Sequence, residues 1–195
     1  TLDRSSAASD VYKRQIEYGA AKQDQFLYVV DRNGLVTAML DQGTDVALLW
    51  QQPINLAPTG SINITENYLL VSAASTTAQS VISLDRASSQ KMWQFNADQL
   101  GSSLQRPTAG HQMVYVGGRY LWAVDLYTGA EVWRFTDLPG VSAPPIYDWP
   151  GITTLAELFV ADEGNGVRLL DANTGKQKWY TAAIGRVTGM ALDST

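Results

Sequence analysis

The sequence predicts an all-β fold built from a unit that occurs four times along the chain. Three observations support this prediction: an Asp-to-Trp phrase recurs at a nearly constant interval, two short apolar runs joined by a turn precede each phrase, and no segment has helical periodicity. The four phrases are "DQGTDVALLW" from Asp41, "DRASSQKMW" from Asp85, "DLYTGAEVW" from Asp125 and "DANTGKQKW" from Asp171. Their tryptophans are separated by 43, 40 and 46 residues, in the order Trp50, Trp93, Trp133 and Trp179.

The segment before each phrase is typical of a β-hairpin. In chain order the four segments are "FLYVVDRNGLVTAML", "YLLVSAASTTAQSVISL", "MVYVGGRYLWAV" and "LFVADEGNGVRLL". Asn33-Gly34 and Asn165-Gly166 are typical of tight turns that require a positive φ. Several runs are apolar on both faces, which predicts strands that are covered from two sides.

A further short stretch follows each tryptophan and brings the unit to four strands. The whole pattern predicts a partial β-propeller of about four blades, each of four antiparallel strands with a Trp-docking motif. A β-sandwich is the competing all-β fold, but it would not repeat an Asp and a Trp at one internal spacing.

The residues of the phrase are predicted to be structural. Asp accepts backbone N–H groups two residues on, Gly supplies a positive φ, and Trp fills the gap between neighbouring blades. The predicted motif residues are Asp41, Trp50, Asp85, Trp93, Asp125, Thr128, Gly129, Trp133, Asp171, Thr174, Gly175 and Trp179. The alternative, aspartates as acids and tryptophans as stacking platforms for a cofactor or sugar, is weaker because the four aspartates recur at one turn of separate blades.

The first fifteen residues, "TLDRSSAASDVYKRQ", differ from the rest of the chain. Read as codons, they match an indexed adapter of transposase-based sequencing libraries, so we interpret residues 1–15 as non-native. Residues 16–195 are then expected to be a propeller fragment truncated at both ends, and any signal segment or membrane anchor would lie upstream.

Composition narrows the classes of function. The full sequence has 14 basic and 19 acidic residues. Without residues 1–15 it has 11 basic and 17 acidic residues, which gives a net charge of −6. This acidity and the lack of a basic run argue against nucleic-acid binding. The absence of cysteine excludes disulfides, thiolate nucleophiles and zinc–thiolate sites.

The last two units resemble a known family. "YVGGRYLWAVDLYTGAEVWRF" and "RLLDANTGKQKWY" are similar to the repeat of the PQQ-like propeller superfamily, whose tryptophan-docking signature is Ala/Leu-x-Asp-x-x-Thr-Gly-x-x-x-Trp. The first two units are degenerate, since Asp85 is followed by no Thr-Gly pair and Asp41 has an extra residue before Trp50.

The resemblance implies one of two functions. Some members are non-catalytic, extracytoplasmic scaffolds, such as the lipoprotein of the outer-membrane β-barrel assembly machine and the sensor domains of some kinases. Others are periplasmic alcohol or sugar dehydrogenases that hold PQQ and Ca²⁺ on the propeller axis, many with adjacent cysteines. This chain has no cysteine. We therefore expect a non-catalytic, periplasmic or extracellular scaffold with a protein partner and no cofactor, metal or catalytic residue, and keep a dehydrogenase fragment as the alternative.

Two short segments outside the phrases are further candidates. "DEGNG" from Asp162 could be part of a calcium loop, but "DRNG" from Asp31 occupies the equivalent hairpin, which favours a turn. His111 could act as a general base, but no nucleophile pattern accompanies it, which favours a surface or turn role.

The longest interval between blades contains "YDWPGITTLAEL", and its extra length is expected to leave the sheet. Exposed aromatic residues in loops are favoured partner contacts. Tyr147, Asp148, Trp149 and Pro150 are therefore a predicted interaction loop, with Trp149 folded back on the blade edge as the alternative.

Overall fold

The computed structural model describes residues 20–60, 62–97, 103–149, 155–182 and 185–192. All the regular secondary structure in these ranges is β-strand, and the strands form four separate antiparallel sheets in chain order. None of these residues belongs to a helix of the length and apolar character needed to cross a membrane.

Sheet 1 contains β1 (Ala20–Gln23), β2 (Phe26–Val30), β3 (Leu35–Asp41) and β4 (Val46–Pro53). Sheet 2 contains β5 (Ala57–Pro58), β6 (Asn63–Ile64), β7 (Tyr68–Ala74), β8 (Gln79–Asp85) and β9 (Lys91–Ala97). Its first strand is interrupted, so that β5 and β6 pair in turn with β7. This interruption is the one departure from the predicted four strands per unit among the described sheets.

Sheet 3 contains β10 (Thr108–Ala109), β11 (Met113–Gly117), β12 (Leu121–Asp125) and β13 (Glu131–Phe135). Sheet 4 contains β14 (Ile146–Asp148), β15 (Glu157–Ala161), β16 (Gly166–Asp171) and β17 (Gln177–Ala182). Sheets 1, 3 and 4 are meanders, in which every strand pairs with the next one along the chain, and β7, β8 and β9 of sheet 2 follow the same order.

The tight turns at the predicted Asn-Gly pairs use a positive φ. Gly34 has φ +78° between β2 and β3, as the sequence pattern requires. Between β15 and β16 the residue with positive φ is Asn165, at +64°, and not the glycine that follows it. Asparagine tolerates this region better than most residues, so the pair still closes the turn.

Three apolar clusters lie between successive sheets and form the core. In sheet 2, Leu69 and Val71 pack against sheet 1, whereas Leu70 packs against sheet 3. A strand between two sheets must be apolar on both faces, and this accounts for the runs without alternation. The first strands of neighbouring sheets approach each other, as in the contacts of β1 with β6 and of β10 with β14.

The fourth strands lie at the outer edge, where every side chain of β17 is exposed. The predicted all-β, partial β-propeller of four antiparallel blades is confirmed.

Candidate functional site

The turn after Asp125 is closed by that carboxylate. Oδ1 of Asp125 accepts hydrogen bonds from the backbone N of Tyr127 at 3.0 Å and of Thr128 at 2.8 Å, and from Oγ1 of Thr128 at 2.8 Å. Gly129 has φ +71° and donates its N–H to the carbonyl oxygen of Asp125. Asp171, Thr174 and Gly175 make the same set of contacts in sheet 4.

The turn after Asp85 has the same geometry with different residues. Ser88 donates both its N–H and its Oγ–H to Oδ1 of Asp85, at 2.7 and 2.8 Å. Ser89, which has φ +64°, takes the place of the glycine. The sequence signal that could have identified this turn is a hydroxyl at the third position after Asp, whether from Thr or Ser.

The turn after Asp41 is different. Oδ1 of Asp41 accepts only the N–H of Gly43, which has φ +84°, while Gln42 donates its N–H to the carbonyl oxygen of Asp45. Lys22 binds the other carboxylate oxygen at 2.7 Å. The extra residue in this phrase therefore changes the shape of the turn.

Three of the four motif tryptophans lie between their own sheet and the next one. The indole Nε1 of Trp50 donates to the carbonyl oxygen of Arg86 at 3.0 Å, and that of Trp93 to Leu126 at 2.8 Å. Trp133 donates to the carbonyl oxygen of Ala172 at 3.0 Å. In each case the acceptor directly follows the aspartate of the next phrase, so the phrases of sheets 2 and 3 each supply one indole and receive another.

A β-bulge directs each tryptophan. In sheet 3 Ala123 pairs with Trp133 but Val124 pairs with Glu131, so Val132 is an extra residue in the fourth strand. The other three sheets have the same shift one position before their tryptophan, at Leu49, Met92 and Lys178. A bulge bends the strand and re-aims the side chain that follows. These bulges were not predicted from the sequence.

The two glycines of the Thr-Gly pairs provide the surface on which an indole rests. A Cβ on Gly129 would lie 2.7 Å from the ring of Trp93, and one on Gly175 would lie 2.7 Å from the ring of Trp133. A side chain at either position would displace the indole. Glycine is therefore required here for space as well as for backbone conformation.

Trp179 is the exception among the four. It is 41% exposed and meets the ring of Phe159 edge-to-face at 6.2 Å. Its indole has no hydrogen-bond acceptor in the described part of the chain.

The carboxylates of three turns are held in their ionised form. The hydroxyl of Thr128, with two backbone N–H groups, lowers the pKa of Asp125, and the backbone and side chain of Ser88 lower the pKa of Asp85. The hydrogen bond from Lys22 is the main cause of the lowered pKa of Asp41. These groups are acceptors in turns and would be poor proton donors at neutral pH.

The hairpin aspartates outside the phrases are also engaged. Asp31 accepts the N–H groups of Asn33 and Leu35 through Oδ1. Asp162 is 1% exposed, accepts the N–H of Gly166 and pairs with Arg168 at 2.8 Å. Nowhere in the described ranges do three or more His, Cys, Asp or Glu side chains come together as a possible metal site.

The predicted interaction loop begins at β14. Tyr147 is partly buried and stacks on Tyr115 with ring centroids 5.7 Å apart. Asp148 ends the strand, and Trp149 after it is 49% exposed. Pro150, the fourth residue of the predicted loop, lies outside the described residues.

His111 is brought to this loop from the turn between β10 and β11. Its ring centroid is 5.4 Å from that of Trp149, with the planes tilted by 42°. The two residues belong to neighbouring sheets and are far apart in sequence, so no local sequence pattern connects them. Together they form an exposed aromatic pair. It lies at the same end of the sheets as the turns that follow the aspartates of the four phrases, which we call the Asp turns.

The chain was compared with known proteins. The sequence profile of a family described as outer membrane protein assembly factor BamB matches residues 77–194, more than half of the chain. A search of curated proteins finds no match to the sequence.

Several solved structures have the same fold. BamB from Moraxella catarrhalis superposes with a TM-score of 0.68 at 19% identity, over 90% of this chain and 51% of that one. Quinohemoprotein alcohol dehydrogenase from Comamonas testosteroni superposes with a TM-score of 0.69 at 14% identity, over 85% of this chain and 35% of that one. A europium-containing methanol dehydrogenase superposes with a TM-score of 0.68 at 12% identity, over 84% of this chain and 41% of that one. The chain thus spans about half or less of the length of each of these structures.

Proposed function

The chain belongs to the family described as outer membrane protein assembly factor BamB, and from this premise we propose that it is a non-catalytic propeller scaffold that binds other proteins outside the cytoplasm. The partner class is a protein of outer-membrane assembly, as the family description implies. The likeness to BamB from Moraxella catarrhalis supports the same proposal at the level of the fold.

The observation that carries the proposal is how the motif residues are used. The carboxylates of the Asp turns accept hydrogen bonds from their own turns, and three of the four indoles are engaged between sheets. These contacts support a structural role for the Asp-to-Trp phrases. Trp149, in contrast, is 49% exposed and stands beside His111. Exposed tryptophans are frequent hot spots of protein interfaces, so this pair is the proposed contact.

The test uses a photo-crosslinking amino acid in place of Leu155, which is 64% exposed and lies close after Trp149 in the chain. The tagged chain is exported to the periplasm of a Gram-negative host, and crosslinked proteins are identified by mass spectrometry. We expect an outer-membrane assembly protein, and we expect Trp149→Ser to reduce its yield about tenfold, since hot-spot residues carry most of the binding energy.

The matched control is Tyr127→Ser. Tyr127 is 54% exposed and lies in the Asp125 turn at the same end of the molecule. It should leave the yield unchanged, and all variants should keep the melting temperature of the parent. Equal yields from the parent and Trp149→Ser would remove the loop from the interface.

A fragment of a quinoprotein dehydrogenase is the second candidate, favoured by the fold likeness to the two dehydrogenases. The described residues do not supply a cluster of carboxylates that fits a calcium ion. Ligands for Ca²⁺ and PQQ would then have to come from other parts of the protein. PQQ-dependent dye reduction by the protein in the presence of Ca²⁺ would favour this candidate over the scaffold.

A further inference from the structure

A second candidate surface lies between sheets 1 and 2. It is an open groove of about 500 Å³, and six of the residues that line it provide its exposed apolar and charged groups and the indole beside them. They are Phe26, Leu49, Trp50, Glu66, Asp85 and Arg86. We call this surface the sheet 1–2 groove.

One side of the groove is apolar and exposed. Phe26 is 37% exposed and Leu49 is 46% exposed, while Leu48 beside the groove is 58% exposed. Leu49 is the extra residue of the bulge in β4, because Ala38 pairs with Trp50 and Met39 pairs with Leu48. The bulge that directs Trp50 between sheets 1 and 2 therefore leaves Leu49 at the surface, where it lines the same groove as Phe26. Adjacent exposed apolar side chains of this kind mark interaction sites.

The other side of the groove carries negative charge. All the hydrogen bonds that Asp85 accepts in its turn go to Oδ1, and Oδ2 makes none with the described residues. These bonds keep the carboxylate ionised, since they lower its pKa. Glu66 adds a second exposed carboxylate from the turn before β7.

Arg86 is the one cation among the described residues that line the groove, and it is engaged within the protein. Arg86 donates from Nη1 to the carbonyl oxygens of Thr65 and Glu66, each at 2.8 Å, and from Nε to the hydroxyl of Tyr28 at 3.2 Å. Its guanidinium lies 5.4 Å from the centroid of the Tyr28 ring. Its guanidinium also lies 5.9 Å from the centroid of the Phe26 ring. Arg86 therefore forms part of the wall, and Glu66 and Asp85 are the other charged residues of the lining.

From this juxtaposition we propose that the sheet 1–2 groove binds an extended segment of a partner protein, with an aliphatic or aromatic anchor flanked by lysine or arginine. The anchor packs on Phe26 and Leu49, and the basic side chain pairs with Asp85 and Glu66. The net charge of −5 of the whole chain favours approach of such a segment. The site is separate from the Trp149 loop and goes beyond the function proposed above.

The test measures fluorescence anisotropy of a labelled six-residue peptide with a central Leu-Phe pair and two lysines on each side. We expect saturable binding that weakens about tenfold in Leu49→Gln and about threefold in Glu66→Gln, since a hydrophobic anchor contributes more than a rim charge. Two further peptides, with Ser-Ser at the centre or with glutamates as flanks, should bind at least about tenfold more weakly.

Met92→Gln is the matched control. Met92 occupies the same bulge position in sheet 2 and is 47% exposed, but it does not line the groove. Equal affinities of the parent and Leu49→Gln, or a loss of affinity in Met92→Gln as large as that in Leu49→Gln, would overturn the proposal. So would a lack of saturable binding by the parent. The crosslinking yield at the Trp149 loop is unaffected by either result, so the two proposals fail separately.

Discussion

The indole Nε1 of Trp93 donates a 2.8 Å hydrogen bond to the carbonyl oxygen of Leu126, the residue that follows Asp125 in the next sheet. The same ring covers Gly129 of that phrase. One phrase thus contacts the next through a hydrogen bond and a ring stacked on a glycine. The hydrogen bond recurs between each successive pair of the four sheets, and the ring lies on a glycine in the two pairs whose second phrase contains Thr-Gly.

The contacts between successive sheets should differ in how much of their stability depends on the indole N–H. In Trp93→Phe the buried carbonyl of Leu126 loses its donor, and we expect a loss of about 1–3 kcal/mol in the free energy of unfolding. In Trp133→Phe the carbonyl of Ala172 keeps the hydroxyl of Tyr115 as a donor at 3.2 Å. The loss there should be about 1 kcal/mol.

Trp179→Phe is the control for these two variants, because its indole is 41% exposed and makes no hydrogen bond with the described residues. Urea denaturation of the three variants gives the comparison. A loss for Trp179→Phe as large as that for Trp93→Phe would contradict the role given to the hydrogen bond.

A side chain added under an indole should cost more than backbone strain alone. Gly129→Ala forces alanine into φ +71° and places its Cβ 2.7 Å from the ring of Trp93. Gly43→Ala forces alanine into φ +84°, but nothing lies within 4 Å of its Cβ. We expect Gly43→Ala to lower the free energy of unfolding by about 1–2 kcal/mol through strain alone. The loss for Gly129→Ala should be clearly larger. Equal midpoints of urea unfolding would exclude the contact with Trp93 as a source of stability.

Stability should fall in acid partly through the Asp turns. The pKa of Asp125 is lowered in the folded protein by the hydroxyl and backbone of Thr128, so the unfolded chain binds the proton more readily. The stabilisation is therefore complete above the unfolded pKa of about 4 and is lost as pH falls through the folded pKa. We expect a smaller decrease in the urea midpoint between pH 5 and pH 3 for Asp125→Asn than for the parent.

Asn keeps an oxygen that accepts the same hydrogen bonds, so Asp125→Asn isolates the effect of ionisation. Asp137→Asn is the control, because Asp137 is exposed and makes no hydrogen bond or ion pair with the described residues. An identical pH dependence in the parent and Asp125→Asn would show that the turn does not contribute.

The fold could be predicted from the sequence because the Asp-to-Trp phrase recurs once in every blade. Asp125, Thr128 and Gly129 each have a function that depends on residues close by in the chain, and the interval between phrases sets the blade. The bulge at Val132 was not predicted, since it depends on how β13 pairs with β12. The contact of His111 with Trp149 was also missed, because it joins two sheets and no local pattern records it.

The equivalence of Ser88-Ser89 to Thr-Gly was missed for a different reason. The motif was read by residue type, whereas the turn requires only a hydroxyl and a residue that tolerates positive φ. The chemical requirement is therefore broader than the family signature, and a search for a hydroxyl three residues after Asp would have found the turn.

The buried pair of Asp162 and Arg168 should be more important for stability than the surface pairs. Asp162 is 1% exposed, and Nε of Arg168 lies 2.8 Å from its Oδ2. Arg168 also lies 4.5 Å from the ring centroid of Tyr180. Removing one partner of a buried pair leaves an uncompensated charge, so we expect Arg168→Gln to lose about 3–5 kcal/mol in urea denaturation.

Two further variants test the cause of that loss. Asp162→Asn combined with Arg168→Gln removes the stranded charge while Asn still accepts the N–H of Gly166, so a large part of the stability should return. Lys178→Gln breaks the more exposed pair with Glu157 and should cost at most about 1 kcal/mol. If the double variant were no more stable than Arg168→Gln alone, the loss would come from the packing of Arg168 on Tyr180, and the unpaired carboxylate would not be its cause.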